Sequence, residues 1–188
     1  MRTEYEVRVL EIDVEDVKKR LKKIGASYEF DLLQKRYVYD FIPKVSGKWI
    51  RLRTNGLTTT LTIKNIVSSE IDGTQELEIT VDDFENTNLM LNELGYEAKS
   101  YQENRRIQYE YGDVEIDIDY WPGIPTYLEI EGTSEEDVYD VLNKLGFKKE
   151  DATTRDVMGI YEDYGVPVTE KLTLEEDRKY HNRKEDKK

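Results

Sequence analysis

The chain has 188 residues, with 28 Lys and Arg against 41 Asp and Glu, a net charge of −13, no Cys and a single His, His181. That balance excludes a nucleic-acid or anionic-membrane binder, which needs a basic surface, and it excludes disulfides, thiol chemistry and histidine-based catalysis or metal sites. There is no run of 18 apolar residues and no apolar stretch at the start of the chain, so a soluble, cytoplasmic protein without a membrane partner is expected.

Residues 4–11 alternate, with Glu4, Glu6 and Arg8 on one face and Tyr5, Val7 and Val9 on the other, which predicts a strand. Asp13 then caps a helix whose apolar stripe is Val14, Val17, Leu21 and Ile24, stopped by Gly25. Residues 28–41 are aromatic and β-branched and read as a long strand, followed by a turn at 43–47. Asn55-Gly56 is a hairpin signal between strands at 49–54 and 57–66. A strand at 75–81, a helix at 83–94 ended by Gly95, and strands at 99–111 and 113–120 around Gly112 come next. The loop Trp121-Pro122-Gly123-Ile124-Pro125 leads to a strand at 126–131, a helix from Thr133 or Ser134 to Leu145, and a short helix at 153–161. Eight strands joined mostly by turns predict an α+β fold: an eight-stranded antiparallel β-barrel with helices packed outside. Residues 1–165 form the body, and the charged tail 166–188 is expected to be a frayed helix or a disordered end.

The polar face of each strand is unusual. Arg51 and Arg53 share a strand face, as do Thr62 and Lys64, Glu76 and Glu78, Asn104, Arg106 and Gln108, Glu115, Asp117 and Asp119, and Glu129 and Glu131. A solvated outer face is the simplest reading of any one strand. The amphipathic helices, however, need an apolar sheet face to cover, which turns the charges into the barrel, and the charges are sorted by strand. An interior carrying both acids and bases suits a polyanion held partly by metal: basic groups grip phosphoryl oxygens, and carboxylates bind Mg²⁺ or Mn²⁺. Tyr28, Tyr37, Tyr39, Tyr109 and Tyr111 are expected to pack on the outer face.

Motifs in chain order resemble the CYTH superfamily, the triphosphate tunnel metalloenzymes. Glu4-Tyr5-Glu6-Val7-Arg8 is similar to its ExExK signature, Gln34 to Asp40 to its second-strand segment, Arg51-Leu52-Arg53 to its RxR pair, Thr62-Ile63-Lys64 to its TxK strand, and Glu76-Leu77-Glu78 to its central ExE. Arg106 resembles its late basic residue, and Asp119 with Glu129-Ile130-Glu131 its closing D…ExE. Three positions depart from the pattern: Arg8 replaces a lysine, Arg36 an aspartate and Asn104 a lysine. The resemblance implies a tunnel binding a triphosphate-containing small molecule (inorganic triphosphate, ATP or thiamine triphosphate) with Mg²⁺ or Mn²⁺. Glu4, Glu6, Asp119, Glu129 and Glu131 would hold metal. Arg8, Arg51, Arg53, Lys64 and Arg106 would clamp phosphates, and Glu76 and Glu78 would orient water or complete the metal site.

The expected activity is triphosphate hydrolysis. Cyclisation of ATP to cyclic AMP and pyrophosphate, as in class IV adenylate cyclases, is an alternative, but it also needs a base-and-ribose pocket and a group to take the 3′-hydroxyl proton. Arg8 cannot be that group, because its pKa stays above about 12. A non-catalytic polyphosphate- or nucleotide-binding module is the third reading.

Overall fold

The computed structural model describes residues 1–175. Eight strands close into an antiparallel barrel: β1 (Arg2–Val9), β2 (Ser27–Asp40), β3 (Lys48–Thr54), β4 (Thr59–Ile66), β5 (Thr74–Val81), β6 (Ser100–Tyr111), β7 (Val114–Tyr120) and β8 (Tyr127–Gly132). They run in the order β6-β2-β3-β4-β5-β1-β8-β7, and β7 pairs back to β6. Helices α1 (Val14–Ile24), α2 (Phe84–Glu93), α3 (Glu135–Lys144) and α4 (Val157–Asp163) lie outside the barrel.

The side-chain period of two places the strands' apolar residues outward, most of them beneath the helices, with Leu33 of β2 and Leu77 and Ile79 of β5 left exposed. Val7, Val9, Ile116, Ile118, Leu128 and Ile130 pack against Val17 and Leu21 of α1 and Val138, Val141 and Leu142 of α3. Tyr39, Ile50 and Leu52 pack against Leu91 of α2, with Tyr37 stacked on Phe84 and the Tyr39 hydroxyl donating to Asn88 Oδ1 at 2.7 Å. Trp121, Ile124 and Tyr127 pack against Ile160 and Tyr161 of α4. Each such aliphatic or aromatic residue contributes roughly 1.5–3 kcal/mol by leaving water, so the helix-covered wall holds the barrel and leaves the interior free to be polar. Of the five tyrosines expected outside, Tyr28 is largely exposed and meets Tyr109 edge-to-face, and Tyr111 lies under Lys144 of α3.

Local chemistry sets the element ends. Asp13 accepts from the Asp16 amide at 3.0 Å, and Gly25 closes α1 at φ 83°. Asn55 Oδ1 accepts from the amides of Leu57 and Thr58 at 2.9 and 2.8 Å. This side-chain turn leaves Leu57 exposed and starts β4 at Thr59, two residues later than the alternation suggests. The helix expected over 153–161 is divided. Ala152–Thr153 form a two-residue strand, β9, against β1, and the helix begins only at Val157, capped by Asp156. Beyond the body, Lys171–Leu172 form β10, which pairs in parallel with Tyr101 and Gln102 of β6, and Leu172 is buried beside Trp121. This part of the expected tail is therefore docked strand. Residues 176–188, the end of that tail with His181, lie outside the described residues.

Candidate functional site

The barrel encloses a cavity of ≈ 1010 Å³. Its lining includes Glu4, Glu6, Arg8, Arg51, Arg53, Lys64, Glu76, Glu78, Arg106, Asp119, Glu129 and Glu131, all twelve of the residues singled out from sequence. The polar strand faces thus point inward. The structure then divides these residues by how tightly each is already paired.

One pole is rich in carboxylates. Glu6, Glu129 and Glu131 each present an oxygen within 4.8 Å of the other two. Arg8 pins the first two: its Nε donates to Glu129 Oε2 at 2.7 Å and its Nη2 to Glu6 Oε2 at 2.7 Å, while Nη1 donates to the Arg155 carbonyl at 2.9 Å. Burial alone would push the Arg8 pKa down, but Glu129 and Glu6 hold it up. Burial would likewise raise Glu129, and Arg8 and Arg106 instead hold its carboxyl well below the usual range. Glu131 has no such partner. Burial pushes it up to about 7, only partly offset by Lys64 and reinforced by Glu6 and Glu129. Beside it, Lys64 Nζ lies 2.9 Å from Glu4 Oε2 and 2.8 Å from Glu76 Oε2. Burial raises Glu4 to about 8 against the pull of Lys64, whereas Arg51 and Lys64 overcome burial at Glu76 and lower it to about 2.

Arg106 sits between the poles and is fully engaged. It grips Asp119 in bidentate fashion, at 2.9 Å from Nε and 2.6 Å from Nη2, and reaches Glu129 Oε1 at 2.9 Å and Asp117 Oδ2 at 2.5 Å. Asp117 received no role from sequence, although it shares its strand face with Asp119. It is buried, and desolvation holds its carboxyl well above the usual range.

The other pole is rich in guanidiniums that are poorly paired. Arg51 Nη2 stands 3.4 Å from both Glu76 Oε1 and Glu78 Oε2, and Arg53 Nη2 stands 3.8 Å from Glu78 Oε2. Glu78 itself accepts from Thr62 Oγ1 at 2.6 Å. Arg51, ahead of burial and Arg106, lowers the Arg53 pKa to about 10. Arg36 also faces the cavity, so the departure from the expected aspartate adds positive charge to the interior.

The expected metal set is thereby split. Glu6, Glu129 and Glu131 come together, although Glu129 already accepts from Arg8 at Oε2 and from Arg106 at Oε1, Glu4 is drawn to Lys64, and Asp119, held by Arg106 and by Asn104 Nδ2 at 2.9 Å, lies outside the group. The three gathered carboxylates offer only hard oxygen donors, which fits Mg²⁺ or Mn²⁺.

The barrel and its inward charges match a known family model: the CYTH domain model fits residues 2–156. The chain belongs to the CYTH domain family. CYTH tunnels bind triphosphate substrates and are generally divalent-metal dependent, and many members are enzymes. Among solved structures, the CYTH barrel here is similar to PH1012 of Pyrococcus horikoshii OT3, with 24% identity and a TM-score of 0.71 over 84% of this chain and 98% of that one. It is similar to a putative adenylate cyclase of Vibrio parahaemolyticus, with 16% identity and a TM-score of 0.73 over 86% and 98%. It is also similar to HpAC1 of Hippeastrum, a putative adenylyl cyclase described as revealing a dominant triphosphatase activity, with 16% identity and a TM-score of 0.60 over 89% and 98%. At these identities the likeness is one of fold. No curated protein matches the sequence, and among the described residues no helix is long and apolar enough to cross a membrane.

Proposed function

We propose that this CYTH domain is a divalent-metal-dependent triphosphatase, hydrolysing a phosphoanhydride of a triphosphate held along the tunnel. The observation that carries this reading is the unequal pairing of the charges. Arg51 and Arg53 make long contacts, 3.4–3.8 Å to Glu76 and Glu78 and, from Arg51, 3.5 Å to Thr62 Oγ1, close to the limit at which a charge-assisted bond is worth much. A polyanion can take those guanidiniums over at little cost. Arg8 and Arg106, at 2.5–2.9 Å from their carboxylates, instead build the acidic wall.

Arg51 and Arg53 would orient the phosphates, with Lys64 at the boundary between the poles. Glu6, Glu129 and Glu131 would hold Mg²⁺ or Mn²⁺. A cation bound there supplies positive charge to the phosphoryl oxygens nearest the carboxylates. Glu76, held at about 2, stays ionised and can accept a hydrogen bond from attacking water, with Glu78 beside it. Attack by water at the terminal phosphorus forms a new P–O bond and breaks the bridging one, so the attacked phosphorus becomes orthophosphate and the diphosphate leaves with the bridging oxygen. Glu4, raised to about 8, is protonated at neutral pH and would donate its proton to the bridging oxygen of the leaving diphosphate, while the proton of the attacking water goes with the orthophosphate. Hydrolysis needs only a positioned water, and the dominant triphosphatase activity described for HpAC1 supports ranking it ahead of cyclisation.

Incubation with inorganic triphosphate and with ATP, each with Mg²⁺ or Mn²⁺ and then with EDTA, tests the proposal. Orthophosphate release from triphosphate, abolished by EDTA, is expected. Cyclic AMP with pyrophosphate as the main products would overturn the ranking, and no turnover of any triphosphate would leave a binding module.

A further inference from the structure

Arg36 is the least compensated cation of the tunnel. It is 7% exposed, and its hydrogen bonds go to two neutral acceptors, Gln34 Oε1 at 3.0 Å and Asn104 Oδ1. It forms no ion pair among the described residues, and Nε has no partner. Its charged neighbours are chiefly Arg51, Arg53 and Arg106, with Asp119 the weaker counterweight. The guanidinium lies over the Trp121 ring, 4.6 Å from its centroid. Trp121 is 4% exposed, and its Nε1 is also without a partner.

Two buried donors at one spot, both lining the cavity, are costly. A buried donor without a partner loses its hydration and gains nothing for it, the more so when charged. A cation among like charges adds to that. What the pair lacks is an acceptor, and the cavity at ≈ 1010 Å³ has room for one.

The hydrogen-bond network gives the subsite its place. Arg36 bonds Asn104, Asn104 bonds Asp119, Asp119 bonds Arg106, and Arg106 bonds Glu129 of the carboxylate cluster. Arg36 therefore stands at the end of that chain opposite Glu129. Asn104 presents its oxygen to Arg36 and its amide to Asp119, which holds the guanidinium while adding no charge to neutralise it.

We propose that Arg36 and Trp121 form a separate anion subsite that binds the phosphoryl group farthest from the Glu6–Glu129–Glu131 cluster, and so set the length of phosphate chain the tunnel prefers. The inference rests on the triphosphate reading above. The Arg51–Arg53 grip serves any diphosphate or triphosphate. The Arg36–Trp121 pair engages only when a third phosphoryl group is present.

Calorimetry in EDTA, where metal-dependent turnover is blocked, tests this with tripolyphosphate and pyrophosphate as probes. Wild type should bind tripolyphosphate at least about 10-fold more tightly than pyrophosphate. Arg36→Met should remove most of that preference while changing pyrophosphate affinity by less than about 3-fold, and Trp121→Phe, which keeps the ring and removes only the N–H, should reduce it in part. The apo Tm of Arg36→Met should rise, because a buried unpaired charge is gone. Unchanged tripolyphosphate affinity in both variants overturns the subsite while leaving the tunnel reading intact, as does a lower Tm with unchanged affinity. Equal loss of both probes makes Arg36 part of the common grip and also overturns it. If wild type binds neither probe, the tunnel reading falls together with this one.

Discussion

Arg106 holds Asp119 through two parallel hydrogen bonds, Nε to Oδ1 at 2.9 Å and Nη2 to Oδ2 at 2.6 Å, inside a barrel where Asp119 is wholly buried. The same guanidinium also reaches Asp117 and Glu129. One cation thus ties together three buried carboxyl groups, and its value to the fold differs from that of its neighbours on β3.

Arg106→Ala should therefore be costly. Removing one member of a buried ion network leaves uncompensated charge, worth about 3–5 kcal/mol. Arg53→Ala, whose nearest carboxylate is 3.8 Å away, should change stability by less than about 0.5 kcal/mol. Urea unfolding of the two variants checks the split, and equal destabilisation would contradict it.

Binding should show the opposite order. Arg53→Ala is expected to weaken tripolyphosphate by about 2 kcal/mol, the range for a hydrogen bond to a charged group. Titration calorimetry reads this directly. Wild-type affinity in Arg53→Ala would mean that this guanidinium does not meet the ligand.

Stability of the metal-free protein should fall as pH rises from about 4.5 to 8. Glu4 and Glu131 are raised to about 8 and about 7 in the folded state, so the native protein holds protons that the unfolded chain releases near 4.5. Where the native state binds more protons, raising pH favours unfolding. Glu76 and Glu129 act oppositely: lowered in the fold, they lose their stabilising contribution as pH drops below about 4.5. Tm measured in EDTA should peak near pH 4.5–5. A Tm that climbs steadily to pH 8 would contradict the raised carboxyls.

Metal affinity should depend on the same proton. A cation at Glu6, Glu129 and Glu131 must displace the Glu131 proton, so Mn²⁺ affinity should rise with pH up to about 7 and then level. Glu131→Gln should weaken Mn²⁺ by at least about 10-fold, whereas Asp119→Asn, whose side chain serves Arg106, should not. Paramagnetic relaxation of water measures both, and equal effects would return Asp119 to the metal site.

The barrel and its inward-facing charges were legible in the sequence because period-two alternation is strong in Glu4-Tyr5-Glu6-Val7-Arg8 and in residues 114–119, and because α1 and α3 needed an apolar wall. The split of the site was not legible. Spacing shows that Glu4, Glu6, Glu129 and Glu131 face one way, but not that Lys64 draws Glu4 aside while Arg8 gathers Glu6 and Glu129. Asp117 carried the signal, sharing its face with Asp119, and needed only the same alternation rule. Gln34, whose amide oxygen meets Arg36, lay within the recognised second-strand segment without a distinguishing charge. The two-residue strands β9 and β10 have no period to read. They exist because β1 and β6 leave an edge for them.

The most direct test is a crystal structure with Mn²⁺ and a non-hydrolysable triphosphate analogue, with the ion located by its anomalous signal. The tunnel described here predicts Mn²⁺ among Glu6, Glu129 and Glu131, with the phosphate chain running from it to Arg51 and Arg53. Mn²⁺ bound by Glu4 and Asp119 instead, or phosphates lying outside the barrel, would contradict it.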